Sequence, residues 1–274
     1  FSIPGGRYIQ AKGFDGAKSE RLSTPGEKND LLAGRNAVYE ALRAGLPTDK
    51  LFIVKGQPDG SLTRILALAG ERGVPVIQVP RQRLDELCGH RKHQGVAAFA
   101  AAKDYCSLSD IIAYAESLDE KPFLLLADGL EDPHNLGAVI RTAEAAGVHG
   151  VVIPKRRSVG LTAAVAKSSA GALFHMRVAR VSSLASTVTE LKERGFWVFG
   201  ADGGASVLYT DADYSGTALA LVIGAEGTGI SRLVLERCDM AVRIPMFGKV
   251  GSLNASAAAA VLLYEAVRQR KTER

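Results

Sequence analysis

Apolar and polar positions along this chain follow two periods. Short apolar runs bounded by turn residues recur from Leu31 onward, the pattern of strands buried on both faces. Between them, apolar residues return every three or four positions, as in helices packed along one side. In the first block the pattern predicts a helix over 35–43, with Val38, Ala41 and Leu42 on one face, and a strand over 51–54. A helix over 61–72, a strand over 74–79, a helix over 82–88 and a strand over 96–101 follow. This alternation implies a small α/β sandwich spanning 31–104. Residues 105–122 read as a linker holding one polar helix, 108–117, and ending at Lys121-Pro122. Proline disfavours helix in the residue before it, which marks a boundary there. A second α/β domain is expected over 123–274. Its strands fall at 123–127, 150–153, 175–181, 196–201, 218–224 and 240–245. Its helices fall at 135–146, 162–169, 184–194 and 252–268. Residues 1–30 are glycine-rich, polar and aperiodic, and read as a flexible leader or tag without a catalytic role.

Two strands of the second domain end in loops of glycine and small polar residues, Gly224–Gly229 and Met246–Asn254, and each loop leads into a helix. Ligands of open α/β sheets bind beyond the carboxyl ends of the strands, so both loops should line one pocket. GAEGTG has its glycines in the order G-x-x-G-x-G, not the dinucleotide order G-x-G-x-x-G. Glu226 would also set a carboxylate beside a pyrophosphate. An acid there suits a neutral or cationic ligand and speaks against a nucleotide-dependent oxidoreductase. Ser252 stands at an N-cap position with Asn254 two residues on, and the two could simply cap and turn. Asn135 is placed as the N-cap of its helix, with Arg141 nearly two turns in. Glu226 could pair with Arg232, and Arg141 with Glu144.

Two basic runs stand out. Lys155, Arg156 and Arg157 follow a strand's carboxyl end, on the same rim as the pocket. His90, Arg91, Lys92 and His93 precede the last strand of the first block, either as a solvated loop or as phosphate contacts. The last helix is small on nearly every side over Ala255–Ala260, although Leu253, Ala257, Ala260, Tyr264 and Val267 form a stripe. Helix propensity explains such alanine, and so does close passage past other backbone.

Composition changes this picture little. The 274 residues are 47% hydrophobic and 23% charged, with a formal charge of +5, which permits an RNA partner without demonstrating one. Cys88, Cys106 and Cys238 show no C-x-x-C, so neither disulfides nor a zinc or other metal site is indicated, in keeping with a reducing cytoplasm. No apolar run reaches the ~20 residues of a membrane span.

LVIGAEGTGI and IPMFGKVGSLNAS, with DPHNLGAVIRTAEAAG upstream, resemble the three motifs of the TrmH/SpoU family of RNA ribose 2′-O-methyltransferases, within the SPOUT superfamily. Over 31–270 the chain is similar to the RlmB-type branch, which modifies guanosine in bacterial 23S ribosomal RNA. The resemblance implies an L30e-like RNA-binding domain followed by a trefoil-knotted α/β methyltransferase domain that uses S-adenosylmethionine and pairs into a homodimer. It assigns Asn135, Arg141, Glu226, Ser252 and Asn254 to catalysis. Gly224, Ile244 and Leu253 match cofactor-contacting positions, with Ala201, Ile223 and Met246 beside them. Arg91, Lys92, His93, Lys155, Arg156 and Arg157 become RNA contacts. Ribosomal RNA, 23S or its precursor, is the implied partner; a tRNA substrate or a non-catalytic RNA-binding role are the alternatives. Gly251 stands where relatives often carry another small polar residue.

Overall fold

The computed structural model describes residues 31–56, 59–89, 92–216 and 218–272. The leader expected over 1–30 and the basic-loop residues His90 and Arg91 lie outside the described residues. The chain divides into two units, one through Asp104 joined by Gly160–Ala164, the other Tyr105–Val159 with Val165–Arg274.

The first unit runs β1 (Leu31–Ala33), α1 (Arg35–Arg43), β2 (Thr48–Val54), α2 (Gly60–Glu71), β3 (Val76–Val79), α3 (Arg81–Cys88) and β4 (Val96–Ala100). Its sheet has the order β1-β4-β2-β3, with β4 antiparallel to both neighbours and β3 parallel to β2. Val38 and Leu42 of α1 and Leu62 and Ile65 of α2 cover one face, against Leu51, Ile53 and Val96. Leu84 and Cys88 of α3 cover the other, against Phe52 and Phe99. The three-residue β1 is absent from the sequence expectation because three residues are too few to show a period.

The second unit opens with α4 (Leu108–Ser117), started by a capping box in which Ser107 Oγ accepts from the Asp110 N–H at 3.1 Å and Asp110 Oδ2 from the Ser107 N–H at 2.8 Å. Residues 105–122, expected as a linker, group with this unit. Leu108, Ile111 and Ile112 are buried beside Leu124, Val152 and Val188, and Cys106 bridges to Ala179. The remaining strands are β5 (Phe123–Asp128), β6 (Gly150–Pro154), β7 (Arg177–Val181), β8 (Phe196–Ala201), β9 (Val207–Leu208), β10 (Ala218–Gly224) and β11 (Met240–Arg243). The helices are α5 (Pro133–Ala145), α6 (Ala163–Ser168), α7 (Leu184–Glu193), α8 (Arg232–Leu235) and α9 (Ala255–Thr272).

The sheet order is β7-β6-β5-β10-β8-β11-β9, and every pair is parallel. Residues 124–127 of β5 and 219–223 of β10 are at most 1% exposed, which is why both strands read as unbroken apolar runs. From β5 the chain moves outward through β6 and β7, then returns to β8 on the far side, and β10 is laid between. β5 and β10 therefore meet at a topological switch point, where the loops beyond their carboxyl ends diverge and leave a crevice. Helix α5 rises from that crevice and packs against α9. At Gly137 a Cβ would lie 1.8 Å from Ser168 Oγ and 2.9 Å from Ser169 N, so only glycine lets α5 approach that segment.

Candidate active site

Two helix starts differ from the sequence expectation, and the differences build the site. Asp132 is the N-cap of α5, accepting from the His134 N–H at 2.8 Å, and Pro133 fills the first helical position, where its missing N–H leaves no bond unmade. Asn135, expected as the cap, is the third helical residue, and its amide is available for another partner. At α9 the cap is Asn254 and not Ser252: Asn254 Oδ1 accepts from the Ser256 N–H at 2.9 Å and from Ser256 Oγ at 2.6 Å. The Asp-Pro pair and the Asn-x-Ser spacing were the signals for both caps.

Between these helices, the loop after β10 turns back on its own strand. The Gly229 N–H donates to the Ala225 carbonyl at 2.9 Å, and Gly227 and Gly229 adopt φ of 78° and 64°. A Cβ on Gly224 would lie 2.0 Å from the Gly229 carbonyl carbon and 2.2 Å from Ile230 N. Beyond the loop, Asp128, buried at the end of β5, accepts the Ser231 N–H on Oδ2 at 2.7 Å. That bond fixes where the loop returns.

The fold brings Asn135, Glu226 and Asn254 together. Asn135 Nδ2 donates to Glu226 Oε1 at 3.0 Å. Asn254 Nδ2 donates to Asn135 Oδ1 at 2.9 Å and also to Glu226 Oε1. Each corner comes from the carboxyl end of a different strand: β5, β10 and β11. Both bonds to Glu226 land on Oε1, and Oε2 accepts none among the described residues. Arg232 does not pair with Glu226; it pairs with Glu236 at 3.1 Å.

Arg141 and Ser252 stand outside this trio. Arg141 is exposed and makes no hydrogen bond or ion pair among the described residues, with Glu144 included. Six helical positions separate it from Asn135, a rise of about 9 Å and a turn of about 240°, so it faces another direction. Ser252 is exposed and has no hydrogen bond among the described residues. The residues matched to the cofactor follow adjacent carboxyl ends: Ala201 closes β8, Ile223 and Gly224 close β10, and Ile244, Met246 and Leu253 lie beyond β11. Ile223 is 1% exposed and can offer only backbone, whereas Met246 and Leu253 are 38% and 36% exposed at the rim.

Arg156 and Arg157 are exposed and line a cleft of about 190 Å³ with Asp128, Ser182, Ser183 and Ser231, and Lys155 is half-buried beside them. Lys92 is exposed. His93, expected among the RNA contacts, is corrected by its burial: Nδ1 accepts from the Gly95 N–H at 3.0 Å and Nε2 lies 2.6 Å from Asp85 Oδ1. Both ring nitrogens are engaged in closing the loop. Burial pushes the Cys238 thiol up to about 12, so it stays protonated. Among the described residues no three His, Cys, Asp or Glu side chains group as a metal site, and no helix is long and apolar enough to cross a membrane.

Known proteins match this arrangement across the chain. A model described as the SpoU rRNA Methylase family matches residues 122–264. One described as RNA 2′-O ribose methyltransferase substrate binding matches residues 31–106. The chain is 48% identical over 244 residues to YacO of Bacillus subtilis (strain 168), named as a TrmH family tRNA/rRNA methyltransferase, covering 89% of this chain and 97% of that protein. A Staphylococcus saprophyticus protein of the same family name is 45% identical over 240 residues, covering 88% and 96%. Among solved structures, the SpoU methyltransferase AviRb from Streptomyces viridochromogenes, in complex with S-adenosylmethionine, aligns with a TM-score of 0.57 and 26% identity over 92% of this chain and 96% of its own. With Asn135, Glu226 and Asn254 converging beyond the carboxyl ends of β5 and β10 and these matches, the chain belongs to the SpoU rRNA methylase family of S-adenosylmethionine-dependent RNA 2′-O-ribose methyltransferases.

Proposed function

We propose that this protein methylates the 2′-oxygen of a guanosine ribose in 23S ribosomal RNA or its precursor, in the cytoplasm and as a homodimer. The observation that carries the catalytic part is the hydrogen-bonded convergence of Asn135, Glu226 and Asn254 at the switch point. S-adenosylmethionine, when bound, supplies a methyl group on a cationic sulfonium. The residues present fit such a group: a carboxylate at the lip tolerates a cation, and the half-exposed Met246 and Leu253 offer apolar surface to a purine. Backbone of Gly224, Ile244 and Leu253 would hold it, with Ala201, Ile223 and Met246 beside them.

The chain's own residues have three tasks. Asn135 and Asn254 fix the Glu226 carboxylate through Oε1 and leave Oε2 to accept the hydrogen bond of a ribose hydroxyl. Holding that hydroxyl in one orientation turns an encounter into a positioned attack. A guanidinium carries donors only and makes a poor general base; the task of Arg141 is to grip phosphate and ribose oxygens, for which a planar fork is suited. Its direction away from the trio gives the dimer a purpose, since a second copy set against α5 and α9 could bring its arginine to this pocket. Phe174 and Tyr264, 56% and 51% exposed, supply apolar surface for such a contact. Ser252 is assigned to substrate contact on the same loop. The reading includes the superfamily's trefoil knot in the segment bearing Glu226 and Asn254.

A ribosomal substrate is favoured by the α/β unit matched to substrate binding ahead of the catalytic one. A tRNA ribose is the second reading, because the relatives' names include both RNAs. Mapping 2′-O-methylation by mass spectrometry in 23S ribosomal RNA and tRNA from strains with and without the gene separates them. A guanosine in 23S ribosomal RNA that loses its methyl in the deletion strain supports the proposal. A loss confined to tRNA overturns it.

A further inference from the structure

Asp128 holds more charge than its surroundings answer. It closes β5 and is 8% exposed, yet its carboxylate pairs with no cation among the described residues. The Ser231 N–H on Oδ2, at 2.7 Å, is its one hydrogen bond there, and Oδ1 accepts none. Burying a carboxylate is costly unless donors surround it, and one backbone bond is a small return. Arg156 and Arg157 line the same cleft of about 190 Å³, and neither makes a hydrogen bond or ion pair among the described residues. An acid and two guanidinium groups therefore share one small space without closing on one another.

The rest of the lining is apolar. Leu184 and Val234 are buried at its wall, and Leu233, 53% exposed, adds a bare aliphatic surface. A phosphate in this cleft would meet the Asp128 carboxylate, and a cation would meet two arginines. The lining suits a flat, uncharged group with donors on one edge, acceptors on another and apolar faces, which describes a nucleobase. Guanine has the matching order. Its N1–H and N2 amino group donate, as Asp128 Oδ1 requires, and its O6 and N7 accept from an arginine fork. Adenine would set its N1 lone pair against the carboxylate. Uracil offers N3–H and O4 but has neither the amino group nor N7. The loop that carries Glu226 ends at this wall, where Ser231 bonds Asp128, so base cleft and catalytic carboxylate share one support.

We propose that this cleft receives the guanine base of the nucleotide whose ribose is methylated, with Asp128 as the residue that selects it. The inference rests on the RNA methyltransferase reading and adds the side chain that chooses the base. Asp128 Oδ1 accepts from the donor edge, and Arg156 and Arg157 face O6 and N7. Bases of single-stranded RNA are splayed out and bonded along their edges in this way.

The test uses the full chain and the transcript that wild type methylates, 23S ribosomal RNA or tRNA, with versions in which the methylated position is adenosine or uridine. Asp128→Asn keeps an oxygen for the Ser231 N–H and turns the free acceptor into a donor. Arg156→Gln/Arg157→Gln alters exposed side chains without partners, so it decides alone if Asp128→Asn fails to fold. Wild type is expected to prefer guanosine by about 10- to 100-fold in kcat/KM. Both variants should lose activity on guanosine and narrow that preference to within about 3-fold, with S-adenosylmethionine affinity unchanged. A purely structural role for Asp128, or a phosphate role for the arginines, would instead lower all three transcripts by one factor, and that result overturns the proposal. So does wild-type turnover that is equal on the three, or a methylated nucleoside other than guanosine; in either case the methyltransferase reading stands. If wild type transfers no methyl to any RNA, both fall.

Discussion

Replacing Gly224 with alanine tests whether the back-folded loop after β10 is what places Glu226. The new Cβ would sit 2.0 Å from the Gly229 carbonyl carbon, 2.2 Å from Ile230 N and 2.3 Å from the Gly229 oxygen. All three are backbone atoms, so no rotamer change relieves the clash. Carbon atoms rest about 3.5–4.0 Å apart, so the loop must retreat by more than about 1 Å. Overpacking of this kind costs about 1–3 kcal/mol, which for a domain of this size lowers the melting temperature by roughly 2–12 °C. The effect on rate should be larger, because a 1 Å displacement of a positioned group costs on the order of 10²-fold. Gly203→Ala is the control: its Cβ meets nothing within 4 Å. The assays are thermal melting, S-adenosylmethionine titration and single-turnover methyl transfer. Wild-type melting and turnover in Gly224→Ala would refute the placement argument.

Three further outcomes are expected. Asn135→Ala removes a donor to a carboxylate, worth about 1.5–3 kcal/mol, so single-turnover transfer should fall roughly 10- to 100-fold with melting little changed; wild-type rates would dismiss the trio as incidental. Arg141→Ala should abolish transfer, on the order of 10²-fold or more, while S-adenosylmethionine affinity holds, and Arg141→Lys should rescue little; wild-type turnover in the alanine variant removes Arg141 from the mechanism. Burial pushes His149 below its ordinary value, against the opposing hydrogen bond to Glu120. The unfolded chain then takes up this proton first, so the contribution is complete above about pH 6.5 and drains as pH falls below it. Melting curves from pH 8 to 5 should show a smaller drop in His149→Gln than in wild type, and parallel curves would count against this assignment.

The parts of the fold legible in the sequence were those with a local cause. β5 and β10 are unbroken apolar runs because helices cover both faces, and their glycine-rich ends follow from loops leaving a parallel sheet. Asn135, Glu226 and Asn254 were marked by motif, but their contact joins positions 91 and 119 residues apart, and no local period reports such pairing. The caps were misplaced by three residues at α5 and by two at α9. Ser252 and Asn135 looked like starts because either side chain can cap, whereas the helices begin where Asn254 and Asp132 reach a backbone N–H. His93 counted as a cation in a basic run, and only the tertiary fold shows its ring buried between Asp85 and Gly95. The helix in the supposed linker has an exposed polar side that masked Leu108, Ile111 and Ile112. β9, two residues long, has no pattern to read.

The central claim is methyl transfer to a ribose oxygen, and the most direct measurement follows the methyl itself. Purified protein is incubated with S-adenosylmethionine labelled in its methyl group and with deproteinised 23S ribosomal RNA from the deletion strain. The RNA is digested to nucleosides and resolved by mass spectrometry. The account predicts label in 2′-O-methylguanosine, in a near-stoichiometric amount per RNA, and its loss in Glu226→Ala. Label on a base, or none on any ribose with a folded protein that binds the methyl donor, would contradict it.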